Sequence, residues 1–318
     1  MRAYAGYLKQ EEKLNKSASG GAARALYENM LDRGGVVFGV CYDKDFRSAR
    51  FQAVEEKRNL LPLLNTKYIY SEKKDTFREV EEYLAKGREV LFVGLGCDVA
   101  GVKIYLQAKG VDMAKLYTVD LICHGPAPKE IHEAFVEEME KRFSSNVVEY
   151  AVRYKPKGWT SFWLRIVFEN GKVYEKPFED TAFGYCFSRF PREACTHCRY
   201  KGEQHPADLT IGDYWGITDK MAGYNPKGVS LILEQTDKGH QMVEDLMEKE
   251  DFFSTEADAS HALTNNPLYA KSREANPGQE VFMKNLEKFG LHKAVSMDKT
   301  IFYRVKWFLR KVKRVLWK

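Results

Sequence analysis

Residues 89–125, EVLFVGLGCDVAGVKIYLQAKGVDMAKLYTVDLICHG, decide the fold that this sequence predicts. Residues 90–93 form a short apolar run typical of a buried parallel strand. Residues 99–109 have the apolar spacing of a helix, and residues 117–122 are expected to form the second strand. A cysteine follows each strand, Cys97 after the first and Cys123 after the second. Because the carboxyl ends of parallel strands meet at one edge of a sheet, where ligands bind, we expect these two thiols to lie close together.

The composition indicates a folded globular protein, with 44% hydrophobic and 13% aromatic residues. No segment is apolar enough to span a bilayer, and residues 1–4 do not begin a secretory signal, so we expect a cytoplasmic protein. In that reducing compartment the six cysteines are expected to be thiols or metal ligands. The net charge of +5 comes from the last twenty residues, which hold eight Lys or Arg and no acid. The remaining body is slightly acidic, which argues against a nucleic-acid partner.

The order of apolar runs and helical segments predicts an α/β protein with a mixed, partly parallel sheet and flanking helices. No internal repeat or low-complexity linker interrupts it, so we expect two lobes in one compact body. The predicted division is an N-terminal lobe over residues 1–88 and a C-terminal lobe with the functional site over 89–298. A basic amphipathic helix over 299–318 completes the chain.

The chain has one CxxC motif, formed by Cys195 and Cys198. It allows a redox dithiol, although the surrounding loop does not resemble the helix start on which such dithiols usually lie. It also allows a zinc site completed by histidines, with His197, His205 and His124 available. An iron–sulfur cluster needs four thiolates, which Cys97 and Cys123 would complete. Cys41 and Cys186 lie in apolar patterns and are expected to be buried.

The turn after the first strand also imitates a dinucleotide-binding fingerprint. Gly94 and Gly96 open a helix, and Asp120 ends the next strand, where a ribose-binding acid is expected. The third glycine is missing because Val99 occupies its position. A nicotinamide-dependent dehydrogenase built on this unit is therefore an alternative function.

Two further segments have both a structural and a functional interpretation. Residues 16–21, KSASGG, precede a helix and could bind a phosphate through free backbone N–H groups, or serve only as its N-cap. In residues 208–216, DLTIGDYWG, the acidic and aromatic side chains of Asp213, Tyr214 and Trp215 could form a wall for an aromatic cofactor. The structural alternative is a core strand that ends in a capped turn.

Several motifs occur together in the order of one family. They are SASGG at 17–21, VLFVGLGCDVAG at 90–101, VDLICHG at 119–125, RYKPKGW at 153–159, CTHCRYK at 195–201 and ADLTIGDYWGI at 207–217. Together they resemble the coenzyme F-420 hydrogenase/dehydrogenase beta-subunit family over most of residues 1–290. Its members are iron–sulfur flavoproteins, and many bacterial relatives accompany polysaccharide biosynthesis.

The resemblance implies FAD and one 4Fe-4S cluster as cofactors. The cluster ligands that it implies are Cys97, Cys123, Cys195 and Cys198. It places the segment 17–21 and the basic turn of residues 155–159 beside the flavin or its phosphates. With the aromatic wall of residues 213–215, the candidate cofactor-binding residues are Ser17, Ser19, Gly20, Gly21, Lys155, Lys157, Trp159, Asp213 and Trp215. One departure is notable, because Asp98 follows Cys97 where the family usually has glutamine.

The function that follows is an FAD and 4Fe-4S dependent oxidoreductase, with His124 as the candidate acid or base. The donor is a deazaflavin, a nicotinamide or a ferredoxin, and the sequence does not choose among them. A non-catalytic zinc- or ligand-binding scaffold is the second alternative.

The basic C-terminal segment has apolar residues at helical spacing, with Lys and Arg on the remaining turns and two tryptophans. This composition is typical of a helix that lies on an anionic membrane surface. We therefore expect peripheral attachment to the inner face of the plasma membrane. Docking of the helix on the body or on a partner is the alternative.

Overall fold

The structure, a computed structural model, describes residues 1–299 of the 318-residue chain. The predicted basic helix over 299–318 therefore lies outside the described residues, apart from Lys299. The described part contains eleven strands: β1 (Ala3–Leu8), β2 (Val36–Tyr42), β3 (Ala49–Val54), β4 (Val90–Leu95), β5 (Leu116–Leu121), β6 (Val147–Tyr154), β7 (Trp163–Phe168), β8 (Val173–Pro177), β9 (Leu209–Asp213), β10 (Ser230–Glu234) and β11 (Phe252–Ala257).

Ten α-helices connect and cover these strands in the same part of the chain. They are α1 (Glu11–Asn15), α2 (Ala22–Asp32), α3 (Thr76–Ala85), α4 (Gly96–Ala108), α5 (Lys129–Phe143), α6 (Ala182–Arg189), α7 (Asp237–Met247), α8 (Ala259–Thr264), α9 (Gln279–Phe289) and α10 (Leu291–Asp298). None of the helices within residues 1–299 is long and apolar enough to cross a bilayer.

The main sheet has eight strands in the order β11-β1-β10-β9-β5-β4-β2-β3. The central strands β2, β4, β5 and β9 are parallel, while β3 pairs antiparallel with β2 at one end and β10, β1 and β11 are antiparallel at the other. The carboxyl ends of β4, β5 and β9 therefore lie side by side at one edge of the sheet, where open α/β sheets bind their ligands. The predicted α/β fold with a mixed, partly parallel sheet is confirmed.

Alternation along the central strands explains why both faces of the sheet are covered. In β2, Val37 contributes to the core on the side of α2 and α7, whereas Val36 and Phe38 contribute to the core on the side of α3 and α4. Successive side chains of a strand point to opposite faces, so a strand buried on both faces has a continuous apolar sequence.

The second sheet is small and antiparallel, in the order β6-β7-β8. It shares a core with α5, α6, α9 and α10. The boundary predicted between residues 88 and 89 falls inside the main sheet, because β1, β2 and β3 precede it and β4, β5 and β9 follow it. The division of the chain into those two lobes therefore stays a proposal.

Candidate functional site

A cavity of about 260 Å³ lies at the edge of the main sheet where β4, β5 and β9 end. Its wall includes the ends of these strands, the start of α2 and the loop 63–71. The structure brings seven of the predicted site residues to this wall: Ser17, Ser19, Gly21, Cys123, His124, Asp213 and Trp215. Gly20, Lys155, Lys157, Trp159 and the other three candidate cysteines are not part of the wall.

The serine–glycine segment is held firmly in front of α2. The hydroxyl of Ser19 donates a 2.6 Å hydrogen bond to the carbonyl of Val229, and Ser230 Oγ accepts the N–H groups of Gly20 and Ala22. A Cβ on Gly20 would lie 2.2 Å from the carbonyl oxygen of Gly6, so only glycine fits there.

Neither serine of the segment caps α2. The N-cap residue is Gly21, in the left-handed conformation with a φ of 84°, and it provides no side-chain acceptor. Ser17 donates to the carbonyl of Lys13 instead. The segment therefore provides the N-cap through the backbone of Gly21 and not through a serine side chain, and the start of α2 faces the cavity with Ala22, Ala23 and Arg24 in its wall.

Lys155 binds the serine–glycine segment from behind. Its ammonium donates to the carbonyls of Leu14, Ser19 and Lys227 at 2.8–3.0 Å. Burial, together with the positive charge of Arg153, lowers the pKa of Lys155 to about 7. Lys155 therefore supports the cavity wall without being part of it.

Asp213 is paired with Arg153 at the cavity wall. The guanidinium of Arg153 donates to both carboxylate oxygens of Asp213, at 2.9 and 2.7 Å, and its exposed fraction is 3%. The pair connects the small sheet to the main sheet, because Arg153 lies on β6 and Asp213 ends β9. Because the guanidinium of Arg153 compensates the charge of Asp213, this carboxylate is a rigid part of the cavity wall and not a free charge that faces a ligand.

The aromatic wall consists of two stacked tryptophans. Trp159 is buried and lies parallel to Trp215, with ring centroids 5.2 Å apart and an interplanar angle of 22°. Trp215 lines the cavity, and Trp159 supports it from behind. Tyr214 is buried in a separate core cluster and is not available to a ligand. Lys157 lies outside the cavity wall, with its ammonium 5.2 Å from the ring centre of Trp163.

His124 lies in the cavity wall next to Cys123. Desolvation lowers its pKa below the ordinary value for histidine, so its imidazole is neutral at physiological pH. A neutral imidazole has one acceptor and one donor nitrogen and can therefore move a proton in either direction.

All six cysteines are free thiols, and four of them, Cys97, Cys123, Cys195 and Cys198, interact electrostatically with one another. Cys97 is accessible to solvent, but the surrounding protein partly desolvates its sulfur and raises the pKa of its thiol to about 12, with contributions from negative charge on Asp98, Cys123 and Cys195. Burial likewise raises the pKa of Cys123 to about 11, and Cys195 and Cys198 contribute. Cys123 therefore lies within electrostatic range of the other three.

The four thiols are neighbours but do not form a closed ligand set. Within residues 1–299, no three His, Cys, Asp or Glu side chains lie close enough together to hold a metal ion. Local contacts nevertheless position the thiols, because Cys123 Sγ accepts the N–H of Gly125 at 3.2 Å and Ser272 Oγ accepts the N–H of Cys198 at 3.1 Å. Cys41 and Cys186 are buried elsewhere, as expected.

Asp98 stabilises the start of α4. Its carboxylate accepts the N–H of Leu95 at 3.0 Å and forms a 2.5 Å ion pair with Lys73, and its side chain is fully buried. The helix begins at Gly96, three residues earlier than the spacing of apolar residues predicts, so Cys97 lies in its first turn.

The acid required by the nicotinamide interpretation is not accessible. Asp120 is fully buried, and its carboxylate contacts Nδ1 of His205 at 2.8 Å. His205 in turn stacks on Tyr269, with ring centroids 4.7 Å apart. A ribose hydroxyl cannot reach this carboxylate, so the glycine turn lacks the partner that a dinucleotide site needs.

Sequence reasoning missed the loop 63–71, which forms one side of the cavity. Lys67 lies there with its ammonium donating to the carbonyls of Pro62 and Leu64 at 2.7 and 2.8 Å, and burial lowers its pKa to about 7. Tyr68 stacks on Phe187 with ring centroids 4.4 Å apart. The apolar residues of this loop have neither helical nor strand spacing, so the sequence contains no signal for it. Only its contacts with distant segments show that it is part of the site.

Comparison with known proteins agrees with this geometry. Residues 87–260 match the family that comprises the C-terminal region of coenzyme F420 hydrogenase/dehydrogenase beta subunits. The chain belongs to this family. The matched range contains β4, β5, β9 and all four clustered cysteines, so it covers most of the cavity edge. Members of this family are redox proteins, so electron transfer is the activity expected of this site.

A solved structure shares the fold. A chain in a structure of the F420-reducing NiFe hydrogenase complex from Methanosarcina barkeri is 18% identical, with a TM-score of 0.56. The match covers 93% of this chain and 90% of that one. It extends the fold assignment to the regions outside 87–260. No curated protein matches the chain.

Proposed function

We propose that the protein is a cytoplasmic oxidoreductase that binds FAD in the cavity and one 4Fe-4S cluster at the four neighbouring cysteines. The observation that carries the proposal is the position of Cys123. It lines the cavity and also lies within electrostatic range of Cys97, Cys195 and Cys198. A flavin and a cluster bound at these two places would be adjacent, as electron transfer between them requires.

The residues at each place have the chemistry that the proposed group needs, although the four thiols are not closed into a ligand set in this structure. Four free thiols supply the all-sulfur donor set of a cluster. The cavity offers the first turn of α2, where the N–H groups of Ala23 and Arg24 suit a phosphate, and the face of Trp215 for a flat ring. When bound, the flavin supplies two-electron chemistry and the cluster one-electron chemistry.

The residues of the chain bind, orient and shield. Gly20 and Ser19 hold the phosphate-binding turn against β10, while Lys155 fixes that turn from behind. The stacked tryptophans form a rigid, water-excluding wall. His124 is the cavity residue that we assign to proton transfer at the reacting ring.

Sequence resemblance supports the proposed context of the substrate, and the composition of residues 299–318 supports the proposed membrane attachment. We propose polysaccharide biosynthesis as the context of the substrate, with electrons delivered by a deazaflavin, a nicotinamide or a ferredoxin-type carrier. We further propose that the basic segment 299–318 attaches the protein to the inner face of the plasma membrane. A site for lipid-linked glycans would suit that location.

Analysis of one anaerobically purified sample tests the proposal. We expect stoichiometric FAD, about four iron and four sulfide per chain, and visible absorbance that bleaches with dithionite. Cys123→Ser should lose the iron, whereas the control Cys41→Ser, at a buried thiol that is not part of the cavity wall, should keep it. Folded protein without iron or flavin would contradict the proposal, and stoichiometric zinc in its place would favour the scaffold alternative.

A further inference from the structure

We propose that the surface around the four cysteines is the docking site of a small acidic protein that carries single electrons. This inference rests on the proposed function and chooses one class of donor. Five cations surround the CxxC loop and form what we call the cationic rim: Arg192, Arg199, Lys201, Lys271 and Arg273.

Contacts place the cationic rim at the thiols. Arg192, Lys201 and Arg273 all act electrostatically on Cys195, and Lys201 also donates to the carbonyl of Cys123 at 2.7 Å. Arg199 directly follows Cys198 and is exposed. Lys271, also exposed, precedes the serine that accepts the N–H of Cys198.

The rim cations have no acidic partners within the described part of the chain. None of the five forms an ion pair there, although most charged clusters elsewhere on residues 1–299 are paired. The guanidinium of Arg192 lies 3.8 Å from the ring centre of Tyr70, and Arg273 and Lys201 donate to backbone carbonyls. Arg199 and Lys271 therefore present their positive charge to solvent, while the other three cations are half-buried around the thiols.

The charge of the rim contrasts with that of the rest of the body. Without the last twenty residues the chain has 42 basic and 45 acidic residues. The two rim segments, residues 192–203 and 271–274, nevertheless hold more cations than acids, and the acids are Glu193, Glu203 and Glu274. A local positive field on an otherwise acidic body steers an acidic partner to one place and repels it from the remainder.

The rim is also where an electron could enter. Cys97 is exposed, so a cluster held by this set of thiols would reach the surface at the rim. A protein carrier can place its own redox centre close to that surface without entering the cavity. A free deazaflavin or nicotinamide would instead have to approach the flavin through the cavity. None of the rim cations lines that cavity, so the rim would not help to bind such a donor.

Charge reversal at the two exposed rim residues tests the inference. The variant carries Arg199→Glu and Lys271→Glu, and the probe is a small acidic 2Fe-2S ferredoxin. Its affinity for the protein is measured by calorimetric titration with both proteins oxidised, and electron transfer is measured by mixing reduced ferredoxin with oxidised protein in a stopped-flow instrument. We expect the second-order rate of electron transfer to fall at least ten-fold at low salt. The wild-type rate should itself fall steeply as salt is added.

The matched control carries Lys86→Glu and Lys109→Glu, with the same change of charge at the opposite edge of the sheet. Lys86 follows α3 and Lys109 follows α4, so Lys109 lies about 18 Å along the helix axis from Cys97. This control should transfer electrons at the wild-type rate.

The possible failures can be separated. A sample that dithionite does not bleach contradicts the proposed function itself. A sample that bleaches, but whose ferredoxin rate depends neither on salt nor on the rim charges, overturns the docking inference alone. If the reversed variant loses iron, Arg199→Gln and Lys271→Gln replace it. An unchanged ferredoxin rate combined with lost binding to anionic vesicles would assign the rim to a membrane and also overturn the inference.

Discussion

Arg153 and Asp213 show how one buried ion pair shapes the cavity. Both Asp213 oxygens accept from the guanidinium, and Arg153 also lies over the ring of Phe162, 4.5 Å from its centre. Removing one partner of a buried pair leaves the other charge without compensation, which costs more than the pair contributes when intact.

Asp213→Ala should therefore lower the free energy of unfolding by about 3–5 kcal/mol, as measured by urea denaturation. The control is Glu175→Ala, which breaks the pair with Arg165 on the outer hairpin. That partly exposed pair should contribute less than about 1 kcal/mol. If both variants lost the same free energy of unfolding, Arg153 would have found another acidic partner or become solvated by water.

Lys155 gives the stability of the protein a dependence on pH. Its pKa is lowered to about 7 by burial, against 10.5 in the unfolded chain. Between these values the unfolded state binds more protons, so the wild type should gain stability relative to Lys155→Met as the pH rises from 7. The expected gain is about 1.4 kcal/mol per pH unit, with no further change below pH 7.

Denaturation curves of both proteins from pH 6 to 9 check this sign. The control is Lys238→Met, which also removes hydrogen bonds from an ammonium to two carbonyls. A parallel trend in that control would assign the effect to lost hydrogen bonds rather than to the burial of Lys155.

At the scale of elements, Asp120 and His205 connect two segments that carry cysteines. Asp120 lies on β5, three residues before Cys123, and His205 lies between the CxxC motif and β9. The imidazole and the carboxylate are 2.8 Å apart and almost inaccessible to solvent. The pair therefore fixes the loop of residues 195–206 against the end of β5.

His205→Phe should lower the free energy of unfolding by about 3 kcal/mol, because it leaves Asp120 buried without its donor. It should also speed the loss of iron from the anaerobic protein. The comparison is His240→Phe, at a histidine that contacts Glu234 but is 40% exposed, where the loss should stay below about 1 kcal/mol. Iron retained at the wild-type rate would show that the pair stabilises the fold without positioning the thiols.

Elements with strong local signals were predictable from the sequence. The sequence predicts a helix over residues 129–143 after Pro126 and Pro128, and α5 has these bounds, with Pro128 before it and Ser144 in a left-handed conformation at its end. The strand β4 follows from an apolar run, and β5 follows from its position after the helical segment, although it contains Thr118 and Asp120. The early start of α4 was not predictable, since it depends on the contact of Asp98 with Lys73, twenty-five residues away.

At the scale of the whole molecule, the sequence allowed the location of the candidate site in the fold to be predicted, but not all of the residues that line its cavity. Parallel strands deliver Cys123, His124 and Asp213 to one edge by topology alone. Lys67 reaches the same cavity from an irregular loop, and Trp159 supports Trp215 from another sheet. Such contacts between distant segments carry no periodic signal in a single sequence.

The charge of the chain is divided between the body and the segment 299–318. Removing that segment changes the net charge from +5 to −3, because it holds eight cations and no acid. Each Lys or Arg near an anionic surface contributes about 1 kcal/mol of attraction, and the apolar residues of the segment add burial in the interface.

Truncation after Asp298 should therefore abolish co-sedimentation with phosphatidylglycerol vesicles while leaving iron and flavin content unchanged. The full-length chain should bind these vesicles at low salt and dissociate from them as salt is raised, and it should not bind phosphatidylcholine vesicles. A tail that docks on the body predicts the reverse, with no vesicle binding in either form and a lower thermal midpoint after truncation. The two measurements on the same pair of proteins thus decide whether the basic segment serves a membrane or the fold.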